Sequence, residues 1–111
     1  MVTGEKVKKL NILGEEYSVL TYDNENFPKQ GYDGLCNTLK KEICLREKND
    51  SRIQKEVLRH EIIHAFLHES GLTEYENDEL LVEWIAMQFP KLKTVIEKGE
   101  SYLKIGEPIE I

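Results

Sequence analysis

Two histidines four residues apart, His60 and His64, enclose Glu61 in the pentapeptide His-Glu-Ile-Ile-His. On an α-helix, residues four apart lie on one face at neighbouring turns, so both imidazoles can bind one divalent ion. Glu61 would lie beside that face, where its carboxylate can reach a water on the metal without binding the metal itself. The pattern therefore predicts the chemistry of a zinc hydrolase in which Glu61 is the general base.

The residues around this motif predict a single helix over residues 51–70. Ser51 and Gln54 form a candidate capping box at its start, and Gly71 stands where a left-handed residue ends many helices. The second half of the segment has almost no polar side, so we expect it to be buried. Buried histidines and carboxylates need partners, which a metal ion would supply. The alternative is a pair of hydrogen-bonded core histidines without a metal.

A catalytic zinc site needs a third protein ligand besides His60 and His64. His68 continues the four-residue spacing, but eight residues of helix rise about 12 Å, which is too far for His60 and His68 to share one ion. Glu79 and Glu83 lie four apart on a second predicted helix, and Glu79 borders its apolar face. We therefore expect Glu79 to be the ligand. Glu83 is expected to accept the outer N–H of a ligating histidine, with direct ligation or a solvated position as alternatives.

The segments before the motif predict a small sheet. Residues 10–22 favour a hairpin or a strand kinked at a glycine, residues 23–34 a loop, and residues 35–45 two further short β segments. We therefore expect an α+β fold in which a small antiparallel sheet of about three strands packs on the 51–70 helix and on the second, ligand-bearing helix.

The segments after the motif predict a second helical region over residues 77–98. Asp78 or the residues just before it can cap its start, and Pro90 is expected to bend or end its first part. Residues 99–111 are expected to form a tail. The whole chain, residues 1–111, is expected to be one domain, with residues 1–50 mainly β and loop.

Composition limits the possible partners. The formal net charge of −6 disfavours nucleic acid, because phosphate binding needs a basic face. No apolar run approaches transmembrane length, and the first residues lack a signal-peptide pattern, so we expect a cytoplasmic protein with no membrane partner. Cys36 and Cys44 are accordingly expected to be reduced thiols.

Residues 58–72 and 78–90 resemble the two helices of small phage and prophage zincins, which are minimal H-E-x-x-H metallopeptidases similar to ImmA/IrrE-type proteins. Glu79 and Glu83 resemble the gluzincin E-x-x-x-D pattern, with Glu in place of Asp. The resemblance implies a Zn²⁺-dependent metallopeptidase that hydrolyses a peptide bond in a protein or peptide target. It also implies an edge strand, here residues 42–45 or a neighbour, that binds an extended peptide beside the zinc.

Two points stay open at the level of sequence. Tyr75 and His68 both follow the motif and are candidates to stabilise the oxyanion. The alternative function is that of a zinc-binding pseudo-enzyme or a regulatory protein-binding module of a phage or mobile element.

Overall fold

The computed structural model describes residues 7–48 and 50–103. Within them the chain forms four strands and two helices, namely β1 (Lys8–Ile12), β2 (Glu15–Tyr22), β3 (Gly34–Asn37), β4 (Glu42–Arg46), α1 (Ser51–Glu69) and α2 (Glu79–Glu100). The predicted α+β class is confirmed. Among these residues, no helix has both the length and the apolar character that crossing a membrane requires.

The sheet is mixed, so the prediction of about three antiparallel strands is wrong. Its strand order is β1-β2-β4-β3, with β2 and β4 parallel and the two outer pairs antiparallel. Parallel neighbours need a long crossover connection, and here the loop after Tyr22 together with β3 provides one before the chain re-enters at Glu42. Side-chain alternation in the sequence marks strands, but it does not distinguish these two directions of pairing.

The predicted hairpin at the start of the chain is confirmed. Leu13 and Gly14, between β1 and β2, both have positive φ, 52° and 93°. Two consecutive residues in this region make the tight turn whose twist matches an antiparallel pair. The side chain of Asn11 accepts a hydrogen bond of 2.9 Å from the backbone N–H of Gly14, which supports the turn.

The core lies between one face of the sheet and α1. It is built from buried side chains of three strands and the helix, Ile12, Tyr17, Ile43, Leu45 and Ala65. Because Cys36 pairs with Ile43 while Cys44 pairs with Leu35, the two cysteines point to opposite faces of the sheet. Both are free thiols, as predicted.

The ends of α1 are defined by local hydrogen bonds. Asp50 is the N-cap, since its carboxylate accepts hydrogen bonds from two backbone N–H groups of the first turn, so the predicted cap at Ser51 is wrong by one residue. At the other end, Gly71 adopts φ 92° and the N–H of Leu72 bonds the carbonyl of Leu67 at 2.9 Å. This confirms the predicted glycine C-cap.

An ion-pair cluster ties the end of α1 to the sheet. The hydroxyl of the fully buried Tyr17 donates a 2.6 Å hydrogen bond to the Glu69 carboxylate, which also pairs with the ammonium of Lys41. The Lys41 and Tyr17 hydrogen bonds lower the pKa of Glu69. The cluster therefore stabilises the ionised form of Glu69.

α2 continues through Pro90, so of the two predicted effects of this proline, a bend or an end of the helix, the end is wrong. Asp78 caps it as expected, accepting from the N–H of Leu81 at 3.0 Å. Proline removes one backbone donor, but its fixed φ is itself helical, and the chain continues through Pro90 and Gly99 to Glu100. The predicted tail begins later than expected, and residues 104–111 of it lie outside the described residues.

The predicted apolar faces of the helices are buried only in part. Val82 and Ala86 of α2 are buried, whereas Phe89 remains 48% exposed. In α1, where the second half was expected to be buried all round, Phe66 is 46% exposed. The sheet packs against α1, and α2 packs against α1 rather than against the sheet, so the expected packing of the sheet on the second helix is wrong. Side chains on the far side of each helix stay in solvent.

Candidate metal centre

His60, His64 and Glu79 meet between α1 and α2. The Nε2 atoms of the two histidines lie 3.2 Å apart. Glu79 reaches both, with Oε2 at 3.0 Å from Nε2 of His60 and Oε1 at 2.9 Å from Nε2 of His64. The structure thus brings together the two histidines of α1 and the glutamate of α2 that the sequence predicted as a ligand set.

The outer nitrogens of both histidines face hydrogen-bond acceptors. Nδ1 of His60 lies 3.2 Å from the carboxylate of Glu83, and Nδ1 of His64 contacts the backbone carbonyl of Glu76. A carbonyl or a carboxylate can only accept, so Nδ1 of each imidazole is placed to donate, and a neutral imidazole that donates from Nδ1 carries its lone pair on Nε2. Glu83 therefore occupies the position predicted for a carboxylate that orients a ligating histidine.

This arrangement points three electron-pair donors at one another. With Nδ1 protonated, neutral His60 and His64 present lone pairs on Nε2 and Glu79 presents a carboxylate, so the triangle of His60, His64 and Glu79 repels itself unless it gains positive charge. Protonation of an imidazole, which the raised pKa of His60 favours, or a cation among the three side chains can supply that charge. Donor atoms that bind one zinc at about 2 Å stand roughly 3.3 Å apart, close to the separations observed here. Two imidazoles and a carboxylate are also a ligand set typical of catalytic zinc, so the residues fit this ion.

The triangle is open on the side of Glu79. The side chains of His60 and His64 are only 17% and 10% exposed, whereas that of Glu79 is 70% exposed. Core packing therefore positions the histidines. The exposed Glu79 carboxylate is held instead by its polar contacts, and those described are to the two histidines.

Glu61 lies beside the triangle and is buried, with 7% of its surface exposed. Burial raises the pKa of Glu61, although the charges of His60 and His64 oppose the shift. Burial disfavours the charged form of His60, but the carboxylates of Glu83, Glu61 and Glu79 outweigh it and raise the pKa of His60. A divalent cation among the ligands would favour the ionised form of Glu61 and the neutral form of His60.

Gly34 at the start of β3 allows the strand to pass close to Glu61. A Cβ at this position would lie 2.9 Å from Oε2 of Glu61 and 2.7 Å from Cγ1 of Val57. These distances are shorter than van der Waals contact, so only glycine fits without a shift of its neighbours. Gly34 therefore helps to position the candidate general base.

A cleft of about 560 Å³ opens over the triangle. The loop before β3 contributes Lys29 and Tyr32 to its wall, α1 contributes Arg59, and β3 contributes Gly34 and Cys36. In the described part of the chain, β3 is an edge strand of the sheet, whereas β4 lies between two neighbours. Of the two alternatives in the prediction, residues 42–45 or a neighbouring strand, it is the neighbour β3 that lies at the edge.

The two residues predicted as oxyanion candidates lie outside the lining of this cleft. Tyr75 is 43% exposed, in the connection between the helices. Nδ1 of His68 lies 3.0 Å from both carboxylate oxygens of Glu76, so the His68 ring is held by this hydrogen-bonding partner. Neither side chain is placed to contact a substrate in the cleft.

Sequence reasoning did not assign Gly34 or Glu76 to the site. Gly34 follows an aspartate and reads as a turn residue, and Glu76 precedes the second helix and reads as part of a cap. In the structure, Glu76 contacts His64 through its backbone and His68 through its side chain. A backbone carbonyl has no residue-type signal, so no pattern in the sequence predicts the first of these contacts.

Comparisons of the chain with protein-family models, with curated proteins and with solved structures found no match. The arguments for a function therefore come from the geometry of the site.

Proposed function

We propose that this chain is a zinc-dependent metallopeptidase of the minimal H-E-x-x-H type. The observation that carries the proposal is the triangle of His60, His64 and Glu79, whose nitrogen and carboxylate oxygen atoms lie 2.9–3.2 Å apart, close to the separations of three ligands on one zinc. The outer contacts of both histidines support it, because they select the tautomer that a metal-binding imidazole needs.

Each residue of the site has a role in this proposal. His60, His64 and Glu79 would hold the ion, and Glu83 and the Glu76 carbonyl would orient the imidazoles. Zinc, when bound, would supply an acidified water and polarise the substrate carbonyl. The Glu61 carboxylate takes the proton from the water and passes it to the leaving amine.

The substrate we propose is an extended segment of a protein target. β3 is an edge strand beside the cleft, and an edge strand offers unpaired backbone N–H and C=O groups to a peptide. The cleft has room for a few side chains and not for a folded surface. This substrate class is the one that the resemblance to small zincins implies.

Metal content of the purified protein tests the site. We expect about one zinc per chain in the wild type, and loss of that zinc in His64→Ala and Glu79→Ala. Glu97→Ala is the matched control, since it removes an exposed glutamate from α2 at a distance from the site. A wild type that stays free of zinc after reconstitution would contradict the proposal.

Cleavage of an unfolded peptide mixture, followed by mass spectrometry, tests the activity. Glu61→Gln should keep its zinc and lose turnover, because the amide cannot accept the proton. If the zinc-loaded wild type cuts none of the mixture, the zinc-binding regulatory module becomes the better description.

A further inference from the structure

The second half of α2 extends beyond the body of the domain. Every residue from 91 to 100 is exposed. The Cα radius of gyration is 16.9 Å, whereas a compact chain of this length has about 13 Å. The longest dimension, 57 Å, is almost twice the other two. A helical segment of ten residues without packing is marginal in water, so this half of α2 needs a partner surface.

Exposed apolar side chains on one side of this helix and in the turn just after it form a set that we call the apolar stripe. Its members are 48–71% exposed: Trp84, Phe89, Leu92, Val95, Ile96, Tyr102 and Leu103. Glu79 and Glu83 of the metal centre lie on another side of the helix, so a partner on the stripe would leave the cleft open. A stripe of this size exceeds the scattered apolar residues of an ordinary surface.

Leu92 and Val95 of the stripe belong to a row of residues that has the spacing of helix-on-helix packing. Ile85, Gln88, Leu92, Val95 and Gly99 follow one another at intervals of three, four, three and four residues. This period brings one seam of a helix against the same seam of another helix over several turns. We propose that the chain forms a homodimer in which α2 packs along α2 of a second copy, related by a two-fold axis.

The exposed area suits such a dimer. Seven side chains that each expose about 100 Å² offer roughly 700 Å² per protomer. Two copies would then bury about 1,400 Å², within the usual range for a stable interface. A two-fold pair uses the same stripe on both subunits, so no second surface is required.

The charge distribution also favours a second copy of the chain as the partner that covers the apolar stripe. Residues 91–103 contain three lysines and two glutamates, a net charge of +1, in a chain whose net charge is −6. Two copies that meet here therefore approach at a weakly charged part of each chain, away from most of its negative charge, which limits their repulsion. An anionic membrane surface would repel the acidic body, so we favour a protein partner over a lipid one.

Sedimentation velocity on the full chain tests the dimer. We expect the wild type to sediment at about twice the 13.0 kDa chain mass at concentrations of about 10 to 100 μM. Leu92→Glu would bury one charge from each copy in the seam and should weaken dimerisation by roughly 100-fold or more. Thr94→Glu is the matched control, because it adds the same charge two residues away on the other side of the helix and should remain dimeric.

The single tryptophan gives a second readout. Trp84 is 62% exposed, so its emission should shift to shorter wavelength and become less accessible to acrylamide as the wild type dimerises. Far-UV circular dichroism checks that Leu92→Glu is folded. A wild type that is monomeric across this range, or a folded Leu92→Glu variant as dimeric as the wild type, would overturn the proposal. None of these readouts depends on peptidase activity.

Discussion

Gly34→Ala should displace the Glu61 side chain and leave metal binding unchanged. The new methyl would lie 2.7 Å from Cγ1 of Val57 and 2.9 Å from Oε2 of Glu61, about 1 Å inside normal contact. Val57 is β-branched and has one preferred χ1 rotamer on a helix, so its side chain can move only slightly. Relief must come from Glu61 turning away or from β3 moving off α1.

The loss of stability and the loss of activity that these two movements cause can both be estimated. Overpacking of this kind costs about 1–3 kcal/mol, which lowers the Tm of a domain of this size by about 4–12 °C. A displacement of the general base by about 1 Å is expected to reduce peptide cleavage by about 100-fold. Zinc content should stay at the wild-type level, because Gly34 contacts none of the three ligands through its added atom.

The assays are calorimetry, metal analysis and peptide cleavage on the same preparations. Gly14→Ala is the matched control: it forces alanine into φ 93° at an open turn, so it destabilises by about 1 kcal/mol without contacting Glu61. Its cleavage rate should equal that of the wild type. A Gly34→Ala variant with wild-type Tm and wild-type cleavage would refute the close-approach argument.

Two further predictions concern single carboxylates. Glu83→Gln should weaken zinc binding by about 10-fold or more while zinc can still be loaded, because the amide is a poorer acceptor for the Nδ1–H of His60; competition with a chromophoric chelator measures this, and an unchanged affinity would place Glu83 outside the site. The pKa of Glu69 is lowered by Lys41 and Tyr17, so its contribution is present above the unfolded value of about 4.3 and is lost as pH falls through the lower folded value. Glu69→Gln should therefore reduce Tm at neutral pH and make it less sensitive to acid, and parallel pH profiles for the variant and the wild type would contradict this.

Local patterns predicted the parts of the site that lie within one helix. The four-residue spacing of His60 and His64 places them together on any α-helix, and the C-cap at Gly71 depends only on neighbouring residues. The amphipathic pattern of the second helix also placed Glu79 on the correct side to reach the histidines. The binding of zinc by these residues stays a prediction.

Sequence patterns were less informative about features that depend on contacts between distant segments. Alternating side chains revealed the strands but not the parallel pairing of β2 with β4, because either direction presents the same residues to the core. Pro90 predicted a bend or an end of the helix, since proline usually weakens a helix, yet one lost hydrogen bond did not end α2.

The sequence by itself determined which side chains could bind a metal, because helix geometry converts residue spacing directly into distance. Only the tertiary structure decided which strand borders the cleft, that Gly34 lets that strand pass close to Glu61, and that the Glu76 carbonyl orients His64. These contacts join segments far apart in the chain, and they arise from packing and from backbone atoms that every residue shares.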